Sequence, residues 1–235
     1  MKVVLINFSG NVGKSTLAAH MLAPRIGDAQ IYSVESLNLD AELDGVEVER
    51  HRGKRLIELL DEVMSREAAV VDVGASNAEE FMKGMRSLQG AHEEFDWFVV
   101  PAVHSRKQLG DTLNTIRALQ ELGVPRAKVR VVMNRVDEGD SVQVEFGVLF
   151  HAAATEGNCV VPPAATVYAN EVFERLKGTG LSLAQVHADT TPWRDRFRAA
   201  TTDEERDHAL RMLTLKRLSG SASSNLDHAF GALFA

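Results

Sequence analysis

The residues with the clearest chemical potential form one run near the start of the chain, Ser9-Gly10-Asn11-Val12-Gly13-Lys14-Ser15-Thr16. Its glycines let an anion approach the backbone closely, and its end opens a helical pattern whose N–H groups and dipole attract negative charge. In a loop of this type Lys14 reaches the β- and γ-phosphates of a nucleotide, and the Ser15 hydroxyl faces Mg²⁺. The run therefore predicts a phosphate-binding loop in which the backbone N–H groups of residues 10–16 hold the phosphates.

The match to the phosphate-loop pattern G-x-x-x-x-G-K-[ST] is incomplete, because Phe8 stands where the pattern has its first glycine. A strand–turn–helix that contains Gly-Lys-Ser by chance is the competing interpretation. The apolar strand predicted before the loop and the helix predicted after it favour phosphate binding.

Apolar runs alternate with helical patterns along the chain, which is typical of a parallel sheet with crossover helices. Several runs are almost continuous in Val, Ile and Phe, as expected for strands buried on both faces. The predicted strands are residues 2–7, 30–34, 68–73, 97–101, 129–134 and 159–161. The predicted helices are residues 15–22, 54–65, 77–88 and 106–122, with Asn77 and Glu80 resembling a capping box at the start of the third.

The pattern predicts one α/β domain with a mostly parallel sheet and a small C-terminal helical tail. We expect residues 1–180 to form the nucleotide-binding domain and 181–218 to form a helical extension packed on it. The run Ser219-Gly-Ser-Ala-Ser-Ser224 has the composition of a flexible linker, so residues 219–235 are predicted to be a linker and a C-terminal segment.

Three further residues follow predicted strands, at the edge of a parallel sheet where ligands bind. Asp72 ends the third strand and is predicted to place Mg²⁺ together with Ser15. Glu35 follows the second strand and is predicted to orient a water molecule, with Asp40 as a second candidate. Asn134 ends the fifth strand, where its amide can pair with a purine edge, although an Asx turn is also compatible with that position.

The same residues leave several functions open. The run Asn134-Arg135-Val136-Asp137 is similar to the guanine-binding pattern N-K-x-D, in which the acidic residue accepts two hydrogen bonds, so a GTPase is an alternative to an ATPase. A small-molecule kinase is less well supported, because the chain has no recognisable acceptor-site motif. A nucleotide-binding module without turnover is a further alternative.

Composition restricts the partners and the compartment. The formal net charge of −7 gives no global basic field for nucleic acid, so we expect direct DNA contact to be weak and non-specific. Basic and acidic residues alternate between Arg194 and Arg217, a pattern typical of a solvated helix face. The single Cys159 excludes an internal disulfide, and no run is long enough to span a membrane, so we expect a cytoplasmic protein.

The phosphate loop, Asp72, Glu35 and Asn134 occur in an order that resembles the ParA/MinD-like branch of P-loop ATPases, over roughly residues 1–178. The resemblance implies a three-layer P-loop NTPase fold, ATP and Mg²⁺ as cofactors, and a proline near the base, for which Pro162 or Pro163 is the match. The opening residues 7–14 and the run Ser33-Val34-Glu35-Ser36 are most similar to StbB-type plasmid stabilisation proteins.

Two departures from the family pattern K-G-G-x-G-K-[ST] concern catalysis. Ser9 stands at the position of the family's first lysine, which reaches the phosphates of a dimer partner, and Asn11 replaces a glycine. Glu35 stands where the family has an aspartate and is one methylene longer. Because a displacement of about 1 Å can cost on the order of 100-fold in rate, we expect slow or partner-stimulated hydrolysis.

The resemblance implies a role in plasmid partition, plasmid stability or conjugative transfer. It also implies a plasmid-encoded partner or a DNA-binding adaptor protein, and a nucleotide-dependent homodimer.

Overall fold

The computed structural model describes residues 1–27, 29–34, 48–51 and 56–235, with the backbone alone described for 48–51. The strands of this part of the chain are β1 (Lys2–Leu5), β2 (Gln30–Val34), β3 (Val48–His51), β4 (Ala69–Val73), β5 (Trp97–Ala102), β6 (Val129–Val136) and β7 (Thr166–Tyr168). They form one seven-stranded sheet in the order β3-β2-β4-β1-β5-β6-β7, and the pairings between them are parallel. The carboxyl ends of the strands therefore meet at one edge of the sheet.

Alternation along the central strands explains how the sheet is buried on both faces. In β1, Val4 packs into the core on one face, whereas Val3 and Leu5 pack into the core on the other. In β4, Val71 and Val70 divide between the two faces in the same way. Because successive side chains of a strand point to opposite faces, a continuous apolar run fits a sheet that is covered on both sides.

The helices form the two outer layers. In the described part of the chain they are α1 (Lys14–Leu17), α2 (Leu56–Met64), α3 (Ala78–Ser87), α4 (Arg106–Glu121), α5 (Val142–Glu145), α6 (Gly147–Thr155), α7 (Val172–Leu176), α8 (Leu183–Ala188), α9 (Trp193–Ala199) and α10 (Asp203–Leu233). Helix α1 continues as a π-helical turn over Ala18–Leu22. Helices α2, α3, α4 and α6 cover one face of the sheet, and α1, α7, α8 and α10 cover the other, which confirms the predicted α/β class.

The sixth predicted strand differs from the structure. Residues 159–161 contribute one isolated bridge, between Arg130 and Val160, and regular pairing with β6 resumes only at β7. Pro162 and Pro163 lack the N–H groups that a ladder needs, so they interrupt the pairing between the two segments. Cys159 is buried beside this break, and burial raises the pKa of its thiol to about 11, so the thiol is protonated at neutral pH.

The predicted linker at residues 219–224 is wrong, because these residues lie inside the continuous helix α10. Ser219 and Ala222 face the sheet and are buried, and the Ser219 hydroxyl donates to the Lys216 carbonyl at 2.9 Å. Small residues let the helix approach the core closely here, and this packing outweighs their weak helix propensity. The buried positions of α10 keep a spacing of three or four residues through the serine-rich run, as Ala209, Met212, Leu215, Ser219, Ala222, Leu226, Ala229 and Leu233.

The predicted capping box of α3 is also wrong. Asn77 occupies the N-cap position, but its side chain makes no capping bond there. Its backbone is already helical (φ −109°, ψ −7°), whereas a capping side chain needs an extended backbone to reach the first turn. Capping boxes instead begin α8 at Ser182 and α10 at Thr202.

Within the described ranges, no helix is both long and apolar enough to cross a lipid bilayer.

Candidate functional site

The loop between β1 and α1 has a backbone that only certain residues adopt. Asn11 and Gly13 both have a positive φ, of 58° and 84°. Asparagine tolerates this left-handed conformation better than most residues, and glycine adopts it without strain. A Cβ atom on Gly13 would lie 2.2 Å from the Asn134 side-chain nitrogen, so the contact between the loop and β6 requires a glycine here.

Asn7 supports this loop from inside the protein. Its Nδ2 donates to the Pro101 carbonyl and to the Thr112 hydroxyl, both at 2.8 Å, and its Oδ1 accepts from the Ser9 N–H at 2.8 Å. The side chain is fully buried, so a broken bond would leave a polar group without water. Asn7 therefore fixes the start of the loop to β5 and α4.

Helix α4 holds the loop at two further points. The Phe8 N–H donates to the Thr115 hydroxyl at 3.0 Å, and Gln108 Nε2 donates to the Gly10 carbonyl at 2.9 Å. The sequence did not single out Asn7 or these partners as site residues. The detectable signal was a polar residue, Asn7, directly after an apolar strand and before the loop.

Replacing Asn7 with alanine should lower the free energy of unfolding by about 3 kcal/mol, because two or three buried hydrogen bonds are lost and their partners stay buried. Urea denaturation measures this loss, and an unchanged m-value would show that the denatured state is not altered. Asn114→Ala, at an exposed position of α4, is the matched control. A loss below about 1 kcal/mol would mean that the loop does not depend on Asn7.

Lys14 lies at the first position of α1 with only 7% of the residue exposed. Its ammonium group donates to the Ser9 carbonyl at 2.9 Å and to the Asn7 carbonyl at 3.2 Å. These contacts hold the lysine over its own loop, so the positive charge lies beside the loop backbone. A phosphate group bound there would meet this charge at the N-terminus of the helix, where the backbone favours anions.

Ser15 and Asp72 are brought together from separate elements. The Ser15 hydroxyl donates to Asp72 Oδ2 at 2.5 Å, and Asp72 is 2% exposed at the end of β4. A hydroxyl and a carboxylate are the oxygen donors that Mg²⁺ takes beside a nucleotide. The donor set therefore fits the metal predicted for these two residues.

Asn134 joins the loop to the end of β6. Its Nδ2 donates to the Val12 carbonyl at 2.9 Å, and the residue is 5% exposed. The next residue, Arg135, has a φ of 57°, and the pairing of β6 with β7 shifts register between Asn134 and Val136. Positive φ in a residue other than glycine is a form of strain that occurs mostly at functional sites.

A cavity of about 420 Å³ opens beside Asn134 and the start of α1. The wall opposite α1 consists of the end of β7, the residues that follow it and one residue of α10. The sequence analysis predicted none of these as site residues. The lining residues are Gly13, Thr16, Leu17, Asn134, Arg135, Val167, Tyr168, Ala169, Asn170, Glu171, Phe173, Glu174, Lys177 and Leu226. The cavity has the size of a small-molecule site and adjoins the phosphate loop directly.

Charged groups surround this cavity in pairs. Lys177 Nζ donates to both carboxylate oxygens of Glu174, at 2.8 and 2.9 Å. This hydrogen bond, the Lys177 charge and, more weakly, the Arg135 charge hold the pKa of Glu174 below its ordinary value. Glu174 is therefore ionised at neutral pH, and the rim of the cavity carries both signs of charge.

The other predicted site residues of the described part of the chain are not found at the cavity. Pro162 does not line the cavity, because the segment beside it pairs near the start of β6, at Arg130, whereas the cavity lies at the carboxyl end near Asn134. The residues beside the cavity come instead from Tyr168–Glu171. Glu35 and Asp40 lie outside the described residues.

Asp137 lies in a second cavity, of about 360 Å³, on the other side of Arg135. This cavity is lined by Asn11, Val103, His104, Gln108, Arg135, Val136, Asp137, Asp140, Glu145 and Phe146. Asn134 and Asp137 therefore face different cavities, although only two residues lie between them in the sequence.

The alternating charges of α9 and α10 are mostly exposed, and they include two ion pairs, each within one helix. Arg198 lies 3.8 Å from Asp195, and Arg206 lies 3.7 Å from Asp203. Exposed pairs of this kind contribute little to stability, so they agree with a solvated surface.

These features define a class of protein. A parallel sheet between two layers of helices, with a loop of the phosphate-binding type between its central strand and the next helix, is the P-loop NTPase fold. The chain is similar in structure to the cell division ATPase MinD of Pyrococcus furiosus, with a TM-score of 0.56 and 12% identity over 92% of this chain and 98% of that chain.

Two other MinD structures have similar folds. MinD of Aquifex aeolicus, in a complex with MinC, gives a TM-score of 0.53 and 13% identity over 93% of this chain and 95% of that chain. MinD of Pyrococcus horikoshii OT3, in a complex with Mg-ADP, gives 0.50 and 12% over 94% and 98%. No protein-family model and no curated protein sequence matches the chain. At this level of identity, the similarity shows the fold alone.

Proposed function

We propose that the chain binds ATP with Mg²⁺ and acts as a nucleotide-dependent switch. The observation that carries the proposal is the convergence of the phosphate loop, the Ser15–Asp72 pair and the Asn134 cavity at one edge of the sheet. In this arrangement Lys14 neutralises phosphate charge, and Ser15 and Asp72 hold the metal. When bound, Mg²⁺ would neutralise charge on the β- and γ-phosphates.

The contacts around Asp72 suggest how the nucleotide state reaches the rest of the molecule. Asp72 accepts from Ser15, and two residues later the Gly74 N–H donates to the Val34 carbonyl at 3.0 Å. A metal bound by Ser15 and Asp72 would compete with their mutual hydrogen bond. The end of β4, and through Gly74 the end of β2 that precedes Glu35, would respond to that change.

Adenine is favoured over guanine by the placement of Asp137. Guanine recognition of the N-K-x-D type needs the acidic side chain beside the base, whereas Asp137 lines the second cavity. Asn134 lines the cavity that adjoins the phosphate loop, and an amide oxygen can accept from the amino group of adenine. We therefore propose that Asn134 contacts the base of ATP and that Asp137 does not.

Competition between the two nucleotides tests the proposal. We expect ATP to bind more than about tenfold more tightly than GTP, a difference of about 1.4 kcal/mol, in calorimetric titrations with Mg²⁺. Asp137→Ala should leave ATP affinity within about twofold of the unchanged protein, whereas Asn134→Ala should lower it about tenfold or more. A preference for GTP that Asp137→Ala removes would establish the GTPase instead, and no uptake of either nucleotide would refute the whole proposal.

Hydrolysis is proposed to be slow. Ser9 is short and neutral, and it cannot supply the charge that a lysine at this position brings to a partner subunit. Glu35 is the residue proposed to orient the water. We expect turnover of the isolated protein to stay below about one per second, the low end of ordinary enzymes, and a complete absence of turnover would favour the binding module.

The cellular role proposed is plasmid partition, plasmid stability or conjugative transfer, in the cytoplasm. The resemblance of residues 7–14 and 33–36 to StbB-type proteins supports it, and the MinD-like fold is compatible with it. A plasmid-encoded partner or a DNA-binding adaptor protein would act on the surface that the switch alters, and a nucleotide-dependent homodimer belongs to the same proposal. The mixed charges of α9 and α10 support only weak, non-specific DNA contact, which salt should reduce.

A further inference from the structure

Three consecutive residues of the C-terminal helix α10, Asn225, Leu226 and Asp227, lie on the side of the molecule that holds the cavity beside Asn134. Leu226 is buried and contributes to the cavity lining. Its two neighbours each make hydrogen bonds to a different side of the site. Through these bonds, α10 is connected to β7 and to the helical segment that follows the phosphate loop.

Asn225 completes the edge of the sheet where the cavity wall begins. Strand β7 is the last strand of the sheet and pairs with β6 on one side. On its other side, Asn225 Nδ2 donates to the Thr166 carbonyl and Asn225 Oδ1 accepts from the Tyr168 N–H, both at 2.9 Å. A residue of a neighbouring parallel strand would make the same pair of bonds, so one side-chain amide takes the place of an eighth strand.

The wall itself follows directly from this contact. After Tyr168, the Ala169 N–H donates to the Val136 carbonyl at 2.8 Å, and the Asn170 side chain accepts from the Val172 N–H at 2.9 Å. The segment is therefore held on one side by the irregular end of β6 and on the other by Asn225. Because β7 has only three residues, these two attachments decide where Tyr168–Glu171 lie.

Asp227 connects the same helix to the phosphate loop. Arg25 donates to Asp227 from Nε at 2.8 Å, and its Nη1 donates to the His20 and Met21 carbonyls at 2.8 and 3.0 Å. His20 and Met21 belong to the π-helical turn that continues α1 from the phosphate loop. Arg25 thus holds the end of that helical segment against α10, so the same helix is connected to the segment that follows the phosphate loop and to the wall of the cavity.

We propose that Asn225 is a positioning residue for the base of the bound nucleotide, acting through the wall Tyr168–Asn170. The inference rests on the proposed function, because it assigns the cavity beside Asn134 to the base. Asn225 does not contact the phosphate loop directly. Its loss should therefore weaken recognition of the base while the phosphate contacts persist.

Binding of two ligands distinguishes an effect on the base from an effect on the phosphates. Calorimetry would compare Mg²⁺-ATP with Mg²⁺-tripolyphosphate, which has the phosphates but no base, on the full chain. For Asn225→Ala we expect ATP affinity to fall about tenfold and tripolyphosphate affinity to change by less than about twofold. Ser224→Ala, at the exposed neighbouring position of α10, is the matched control and should change neither affinity. Faster hydrogen exchange at the Tyr168 amide would show that its bond to residue 225 is lost.

Equal affinity of Asn225→Ala and the unchanged chain for ATP would overturn the inference, as would a parallel loss of ATP and tripolyphosphate. If Asn225→Ala does not fold, Asn225→Leu applies the same criterion, because it keeps a side chain of similar size and removes both hydrogen bonds to β7. Failure of the unchanged chain to bind either ligand would instead refute the proposed function. Binding of tripolyphosphate with no gain from the base would leave the phosphate loop in place and refute the base cavity together with this role of Asn225.

Discussion

Replacing Lys14 with alanine should weaken ATP binding on the order of 100-fold, because charge-assisted hydrogen bonds to phosphate are worth about 1.5–3 kcal/mol. In the structure the lysine is nearly buried, and its ammonium group is held over the loop by the Ser9 and Asn7 carbonyls. Few rearrangements are therefore needed to transfer this group from its own loop to a phosphate. Titration calorimetry with Mg²⁺-ATP measures the effect.

Lys83→Ala is the matched control for this prediction, because Lys83 is an exposed lysine of α3 on a different part of the surface. It should bind ATP as the unchanged chain does. A thermal unfolding curve of each variant separates loss of binding from loss of folding. ATP affinity that survives Lys14→Ala unaltered in a folded protein would contradict the phosphate loop and everything built on it.

Gly13→Ala should both destabilise the fold and abolish nucleotide binding. A left-handed backbone costs a residue other than glycine about 1–2 kcal/mol, and Gly13 has a φ of 84°. The new Cβ would also lie 2.2 Å from Asn134 Nδ2 and break the bond to the Val12 carbonyl, which adds about 1 kcal/mol. We expect a total loss of about 2–3 kcal/mol in urea denaturation and a fall in ATP affinity of more than about 100-fold, since the loop and the base contact both move.

Two variants separate the causes of this effect. Gly27 also has a positive φ, of 56°, but a Cβ there would meet nothing within 4 Å, so Gly27→Ala measures the backbone cost alone. The double variant Gly13→Ala with Asn134→Ala removes the side chain that the new Cβ meets. It should be less destabilised than the sum of the single variants, and strict additivity would show that the two residues are not coupled as the structure has them.

The sequence alone predicts the phosphate loop, because all of its chemistry lies in one short run. Glycine, lysine and hydroxyl residues follow one another between a strand and a helix, and such local patterns do not depend on distant contacts. Asp72 could also be predicted as a site residue, because an acidic residue at the end of an apolar run lies at the edge of a parallel sheet where ligands bind. The pairing of Ser15 with Asp72 agrees with that interpretation.

The cavity beside Asn134 could not be predicted from the sequence in the same way. Its walls come from α1, β6, the segment after β7 and α10, which are far apart in the sequence. Pro162 and Pro163 suggested a strand end near the base, yet they interrupt the pairing with β6 between Val160 and β7, and the cavity is lined by residues from Val167 onward. The serine-rich run suggested a linker, whereas burial against the sheet makes it helical and brings Asn225 to β7.

By itself, the sequence determined the α/β class and the central strands and predicted the phosphate loop, because hydrophobic periodicity and local residue types can be read from short stretches of the chain. Tertiary structure alone decided the route of α10, the support of the loop by Asn7 and α4, and the separation of Asn134 from Asp137 into two cavities. These features depend on contacts between residues up to 202 positions apart, whose energies appear only when the layers pack.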